Sequence, residues 1–407
     1  MLNIIKNNTF LYNINLFSFC ALYLLFPTIT NLSNIPLILI IILGIFTIGF
    51  KNIFEEIKTN PVALAFFMLY VIIIIGCIFT PSKWEWISLQ LSKYAKFLYA
   101  IFIISILRKN NYLQKIAFNS FILAMLCILV STWLNVWFTL PWSTTQNPGW
   151  GKSHHVFGDY ITQNVMMAFF VIVSIQKSVS AEYLKNKIFW SFVAILAGVS
   201  ITHLSEGRSG LLLLIIGLIS YAIVITRGKK LLSALTIIII ILIIAISSSS
   251  VIRNRLTTAY EEAQRNDIDH ISSIGHRLYN YKLTPILILE KPIFGHGTGA
   301  YHTEICKLIE NKDLCPIFSW HPHNQFLFFG VDHGIIGIIF YIFLIASLYY
   351  TAKKSIDSNV RFLLFSLTAI LVVDSLINSP LYSSRESHFF IYMIALLVSM
   401  ARPIQKK

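Results

Sequence analysis

Charge is scarce in this chain. Of 407 residues only 12% are Asp, Glu, Lys or Arg, while 56% are hydrophobic, and 18 acids stand against 32 bases. Runs such as VIIIIGCIF and LTIIIIILIIAI have no place on a surface that meets water. These runs also lack the alternation of a half-buried strand. A hydrocarbon core roughly 30 Å thick needs about 20 apolar residues at helical rise, and only helices or closed barrels satisfy their backbone there. Continuous runs select helices, so an all-α integral membrane protein with one membrane domain is expected. The net charge of +14 is not gathered into a patch but sits in short clusters between apolar runs. That excludes a nucleic-acid surface and fits the positive-inside rule. No internal repeat is visible. No small-residue cleavage site follows the first apolar stretch, so no cleaved signal peptide is expected. Cysteine is sparse, at five. Cys20, Cys77 and Cys127 fall in apolar runs and read as inert packing. Cys306 and Cys315 share one polar stretch; in an oxidising compartment they would pair, the alternative being two free thiols.

The apolar runs give about twelve expected spans: 10–30, 35–50, 61–80, 87–107, 116–140, 159–176, 188–204, 209–226, 232–248, 325–350, 362–378 and 387–401. With the N-terminus inside, the inner connectors and tail carry 18 of the 32 Lys and Arg, and the short outer connectors carry 6. The stretch 249–324 adds 8 bases and 8 acids, and long loops weigh little in this rule. It is therefore expected outside, as one large and partly helical loop. Its pieces are a charged helical run (NRLTTAYEEAQRN), a Ser272/Ser273 start signal, a second helix from His276 to about Leu289, and a Pro/Gly turn region, EKPIFGHGTGAY. The expected organisation is 1–248 with spans one to nine, 249–324 as the external loop bearing active-site residues, and 325–407 with spans ten to twelve and an inner tail.

On this topology the polar oddities collect on the outer side. Arg208 lies in GRSG between two spans. An arginine at mid-membrane costs on the order of 3 kcal/mol, less near the interface, and its planar guanidinium matches a phosphate bidentately. The bland alternative is a snorkelling arginine. Arg277 follows His276 at a helix start, where the dipole favours an anion over a cation, so it suits a ligand; pairing with one of the loop's acids is the alternative. His321 and His323, in HPHNQ, offer a neutral imidazole that can take a proton from a sugar hydroxyl. Two histidines two apart could also begin a metal site, but no third or fourth ligand stands at suitable spacing, and His154–His155 is the rival cluster. Lys93, Lys96, His154, Asp159 and Arg385 are secondary candidates for substrate contact, the bland reading being interfacial or ion-paired groups. Trp84, Trp86, Trp133, Trp137, Trp142 and Trp150 read chiefly as an aromatic belt, with some able to stack on sugar rings.

The order of these motifs is GRSG between two spans, a long external loop with GHR and PIFGHGTGAY, then HPHNQFLFFGVDHGIIG, and finally SPLYSSRE before the last span. It resembles the O-antigen ligase family of Gram-negative bacteria, which shares a wider superfamily with O-antigen polymerases. The resemblance covers most of the chain and is most specific over about 200–390. It implies a glycosyltransferase C-like fold in the bacterial inner membrane, multi-pass, with the loop and active site facing the periplasm. It implies a metal-independent inverting transfer, without cofactor, of a glycan from undecaprenyl diphosphate to a lipid A–core acceptor. Arg208 and Arg277 would hold the diphosphate. His323 would be the general base, with His321 beside it. A basic residue near the third or fourth span matches Lys93 or Lys96. No arginine stands in GKSHHVFGDYITQN, where some relatives place one; Lys152 or His154 would substitute.

Three rival readings remain: an O-antigen polymerase, a protein O-oligosaccharyltransferase of the same superfamily, and a polytopic transporter or flippase. A transporter should carry polar or broken-helix features near mid-membrane. Here the oddities are expected at the outer rim.

Overall fold

The computed structural model describes residues 9–264 and 272–401, so the expected tail 402–407 and the first eight residues lie outside it. Within that range every regular element is helical. In chain order the helices are α1 (Thr9–Leu25), α2 (Asn34–Thr47), α3 (Gly49–Thr59), α4 (Pro61–Gly76), α5 (Trp84–Tyr94), α6 (Lys96–Leu107), α7 (Asn111–Leu134), α8 (Tyr160–Ser180) and α9 (Leu184–His203). They continue with α10 (Arg208–Ile225), α11 (Lys229–Ser248), α12 (Ser250–Gln264), α13 (Ser273–Glu290), α14 (Tyr301–Leu308), α15 (Cys315–Phe318), α16 (Gln325–Lys354), α17 (Ser358–Ile377) and α18 (Ser384–Met400).

The packing reverses the rule of a soluble protein. The most apolar helix, α11, is the most exposed: Ile237, Ile239, Ile240, Ile241, Ile243 and Ile244 are each at least half uncovered. In water such exposure costs roughly 1 kcal/mol per side chain, so the medium around this helix is lipid. The centre belongs to α18 and α8. Helix α18 is buried on every side from Glu386 to Ser399, wedged among α6, α7, α8, α16 and α17. Helix α8 buries Gln163, Asn164 and Gln176 against its neighbours.

This explains a shortfall against the expected twelve spans. Among the described residues eight helices are long and apolar enough to cross a membrane, or nine if the bent pair α3–α4 forms one span. The expected first, sixth and twelfth spans fall on α1, α8 and α18. Helix α1 is apolar but short. Helices α8 and α18 face protein rather than lipid, so nothing selects for an unbroken apolar sequence.

A second difference lies in α16. It is broken at Gly334 (φ 62°, ψ −157°), about 14 Å along its axis. The break frees backbone groups that lipid could not satisfy. The GHG turn fills it: His296 N–H donates to Val331 O and Gly297 N–H to Asp332 O, both at 2.8 Å, while Ile335 N–H donates to Pro292 O at 2.8 Å. A Cβ on Gly334 would stand 2.3 Å from Ile293 O, so only glycine allows this approach. The Asp332 carboxylate accepts from Tyr301 N–H (2.8 Å) and Gln90 Nε2 (2.6 Å). One broken-helix feature therefore lies deeper than the rim, and it is closed by protein. The turn region EKPIFGHGTGAY is a plug that fixes the stretch 291–300 to a span.

The other described residues of 249–324 are largely helical, and they pack on the end of the bundle where α8, α10, α16 and α18 begin and α17 ends. Cys306 and Cys315 are joined as a disulfide, with Cα atoms 5.2 Å apart, which ties α14 to α15. Cys127 departs from its expected role, since it faces outward from α7 rather than into packing.

Candidate active site

The HPHN turn is built by the start of α16. Asn324 caps that helix, its side chain accepting from Phe326 N–H (2.9 Å) and Leu327 N–H (3.0 Å). The residue before the cap, His323, adopts φ 52° and is the only non-glycine with positive φ among the described residues. That conformation costs about 1–3 kcal/mol and persists where the surroundings impose it. Here His323 N–H donates to His321 Nδ1 (3.2 Å), and Tyr281 of α13 donates its hydroxyl to His323 O (3.2 Å) or to Leu376 O. Because His321 Nδ1 accepts, the proton of neutral His321 sits on Nε2.

Helix α13 brings the second part. Ser272 caps it, accepting from Gly275 N–H at 3.0 Å, and the first turns then present His276 and Arg277. The helix thus starts three residues before the expected His276. The His276 ring stands 4.7 Å from that of His323, and His323 stands 4.2 Å from His321. Residues far apart in sequence therefore form one trio of imidazoles. Burial pushes His276 down to about 4, with Arg277 adding to the effect. Burial likewise pushes His321 down to about 3, helped by His276, Lys93, His302 and Arg277. His323 is driven further down, by burial first and then by His321, His276 and Arg277. All three rings are neutral at physiological pH. Neither His323 Nδ1 nor His276 Nε2 has a hydrogen-bond partner. No group of three or more His, Cys, Asp or Glu among the described residues is arranged to hold a metal ion.

Arg277 is mostly buried, and its Nε has no partner. Both oxygens of Asp374, at the end of α17, are likewise buried and unpartnered. Arg277 and Asp374 are close enough to act on each other's charge, yet no hydrogen bond joins them. Arg208 also acts on Arg277, and both cations therefore stand at one end of the bundle. Arg208 opens α10; its guanidinium reaches Glu262 (3.4 Å) and Arg255 O (3.5 Å), contacts at the long limit of a hydrogen bond. Gly207 and Gly210 beside it make room for Asn164 of α8, since a Cβ on either would lie 2.4 Å from that side chain. Glu386, buried near Asp374, accepts from Asn378 Nδ2 at 2.7 Å.

The secondary candidates divide. Lys93 lies beside the trio with its ammonium 3.8 Å from the Tyr382 ring and 4.6 Å from Trp320. Lys96 is buried and donates to Lys93 O at 2.9 Å. Arg385 presses its guanidinium on Gly158, where a Cβ would stand 2.2 Å from Nη1, and that nitrogen has no partner. Asp159 is the N-cap of α8, accepting from Thr162 N–H (2.8 Å) and Thr162 Oγ1 (3.0 Å). His154 staples its own loop through Nε2 and Gly149 O (2.8 Å). The bonds of these last two hold local structure, and none reaches the histidine trio.

Residues 192–342 match the family model described as O-antigen ligase. Over that segment the chain is similar to the O-antigen ligase family. An uncharacterised protein of Haemophilus influenzae is 25% identical over 204 residues, covering 48% of this chain and 50% of that protein. The chain thus spans about half the length of this curated relative. The family groups glycan ligases and polymerases, and its coarse class is a membrane transferase. The segment shared with the family holds Arg208, His276, Arg277, His321 and His323. Lys93, Lys96, Asp374 and Arg385 come from outside it.

Sequence reasoning missed Asp374, Glu386 and the clamp made by Tyr281. For Asp374 a signal was present: it is the lone acid in an otherwise apolar run, FLLFSLTAILVVDSLI. For Tyr281 there was none, because its partners lie 42 and 95 residues away.

Proposed function

We propose that this protein is an O-antigen ligase of the bacterial inner membrane, acting at its periplasmic face. It transfers O-antigen polysaccharide from undecaprenyl diphosphate to lipid A–core oligosaccharide. The observation that carries this reading is the meeting of Arg277 with three neutral histidines inside the family segment, at one end of a lipid-exposed bundle. Arg208 stands near enough to add its charge.

In the reaction the bond from the anomeric carbon to the diphosphate oxygen breaks, and a bond from an acceptor hydroxyl oxygen forms on the opposite face. The leaving diphosphate takes the electron pair, and Arg208 and Arg277 stabilise it. The unpartnered Nε of Arg277 and the long contacts of Arg208 support this role, since little protein bonding must be given up. Asp374 acts from behind Arg277 as a positioning residue. The hydroxyl proton goes to His323. Burial first, then His321, His276 and Arg277, hold the His323 pKa down, and a bound diphosphate offsets the positive charge of Arg277. Donor binding therefore moves His323 toward a stronger base. The apolar helices supply a surface for the polyprenyl chain.

Deletion of the gene followed by lipopolysaccharide gel analysis tests the reading. Loss of a ligase leaves core-only lipopolysaccharide while lipid-linked polymer accumulates. Core bearing a single repeat unit would assign polymerase instead. Absence of lipid-linked glycan at the outer face would assign a transporter.

A further inference from the structure

At the end of the bundle opposite the histidines, a cavity of about 370 Å³ opens between α7, α8, α9, α17 and α18. Phe118, Val173, Leu363 and Met400 form its apolar wall. Its polar side is fixed in advance. Tyr221 donates to Gln176 Oε1 (2.6 Å), which turns Gln176 Nε2 toward Asn359 Oδ1 (2.5 Å). Ser180 donates to that same oxygen at 3.0 Å. The amide of Asn359 is therefore oriented, and its Nδ2 remains as a donor.

Lys177 is the cation of this cavity. Its ammonium faces two rings, Trp190 at 5.3 Å and Phe118 at 5.9 Å. Lys115 stands near it and adds positive charge. The acid at the rim, Asp357, is engaged in capping α17 through Asn359 N–H (2.8 Å) and Val360 N–H (3.4 Å). A half-buried cation between aromatic rings, a fixed amide donor and an apolar wall together suit an amphiphile with an anionic head. The setting favours a lipid over a soluble anion. Helix α9 beside the cavity exposes Leu184, Ile188, Phe192 and Ile195 at helical spacing, a lipid-facing stripe. This is also the end where Lys and Arg concentrate, and basic pockets between spans there bind anionic headgroups.

We propose that this cavity binds an anionic phospholipid, with its phosphate on Lys177 Nζ and Asn359 Nδ2 and an acyl chain along the outer stripe of α9. The site is independent of the glycosyl-transfer reading.

The test uses the full-length protein in detergent, with phosphatidylglycerol, phosphatidylcholine or inorganic phosphate added at matched concentration. Thermal unfolding and the lipid retained in native mass spectrometry are both read. Phosphatidylglycerol raises the melting temperature and is retained; the other two probes do neither. Lys177→Gln weakens retention about fivefold or more, the effect of one lost basic contact near a surface, and Asn359→Asp, which replaces the amide donor with a negative charge, weakens it at least as much. Lys187→Gln, in the exposed first turn of α9 at the same end, keeps wild-type retention. Wild-type retention in Lys177→Gln or in Asn359→Asp overturns the site. Equal retention of phosphatidylcholine overturns the anionic headgroup, and equal stabilisation by inorganic phosphate overturns the lipid. Should Lys177→Gln fail to fold, Asn359→Asp decides.

Discussion

At the scale of single residues, the proposed chemistry rests on charged and imidazole groups that have few partners inside the protein. Arg277→Ala is expected to lower ligation by about a hundredfold or more, the cost of one lost oxyanion contact. Arg277→Lys should recover part of that, because a point charge replaces a bidentate fork. Ligation in a membrane assay, with protein level checked by blot, reads both. Asp374→Asn should fall between these two, and wild-type activity there would remove it as a positioning residue. The histidines carry a pH expectation. His276 and His321 sit below the ordinary value of 6.5, at about 4 and about 3. Above pH 6.5 both are neutral folded or unfolded. As pH falls from 6.5 toward 4, the unfolded chain takes up protons that the folded chain refuses, so their contribution to stability is lost in that window. Nuclear magnetic resonance of labelled imidazoles should show both rings neutral at pH 5, with titration moving upward when undecaprenyl diphosphate is added. Protonation near pH 6.5 in the free enzyme would contradict this. Arg208, Arg277, His321 and His323 stood out as candidates in the sequence because polar groups beside apolar spans are costly and therefore conspicuous. The contact of His276 with His323 was not legible there, since the two lie 47 positions apart with a disulfide-linked pair of helices between them.

At the scale of elements, the broken helix α16 holds the site together. Its first ten residues run from the Asn324 cap to the Gly334 break, and the GHG turn locks that break to the stretch that follows α13. Gly334→Ala should destabilise the protein by at least about 2 kcal/mol, since it meets both an unfavourable φ and a carbonyl at 2.3 Å. A lower melting temperature with reduced ligation is the expected result; wild-type melting would show that the plug can yield. Apolar runs located the helices that meet lipid because lipid demands them. They could not reveal the break in α16, where HGIIG reads as one more apolar stretch. Nor could they separate α8 and α18 as central helices, because burial in protein and burial in lipid select similar residues.

At the scale of the whole molecule, two polar ends are separated by an apolar middle. One end gathers guanidinium and imidazole groups under a cover of short helices; the other holds Lys177 and its cavity. The asymmetry of basic residues along the chain anticipated that the two ends differ. It could not say which groups within one end meet, because only packing decides that. The most direct measurement is a structure of the full-length protein with an undecaprenyl diphosphate-linked saccharide bound. Both phosphates are expected within hydrogen-bonding reach of Arg208 and Arg277, with the anomeric carbon turned toward His323. A diphosphate seated elsewhere, or touching neither arginine, would contradict the shared site.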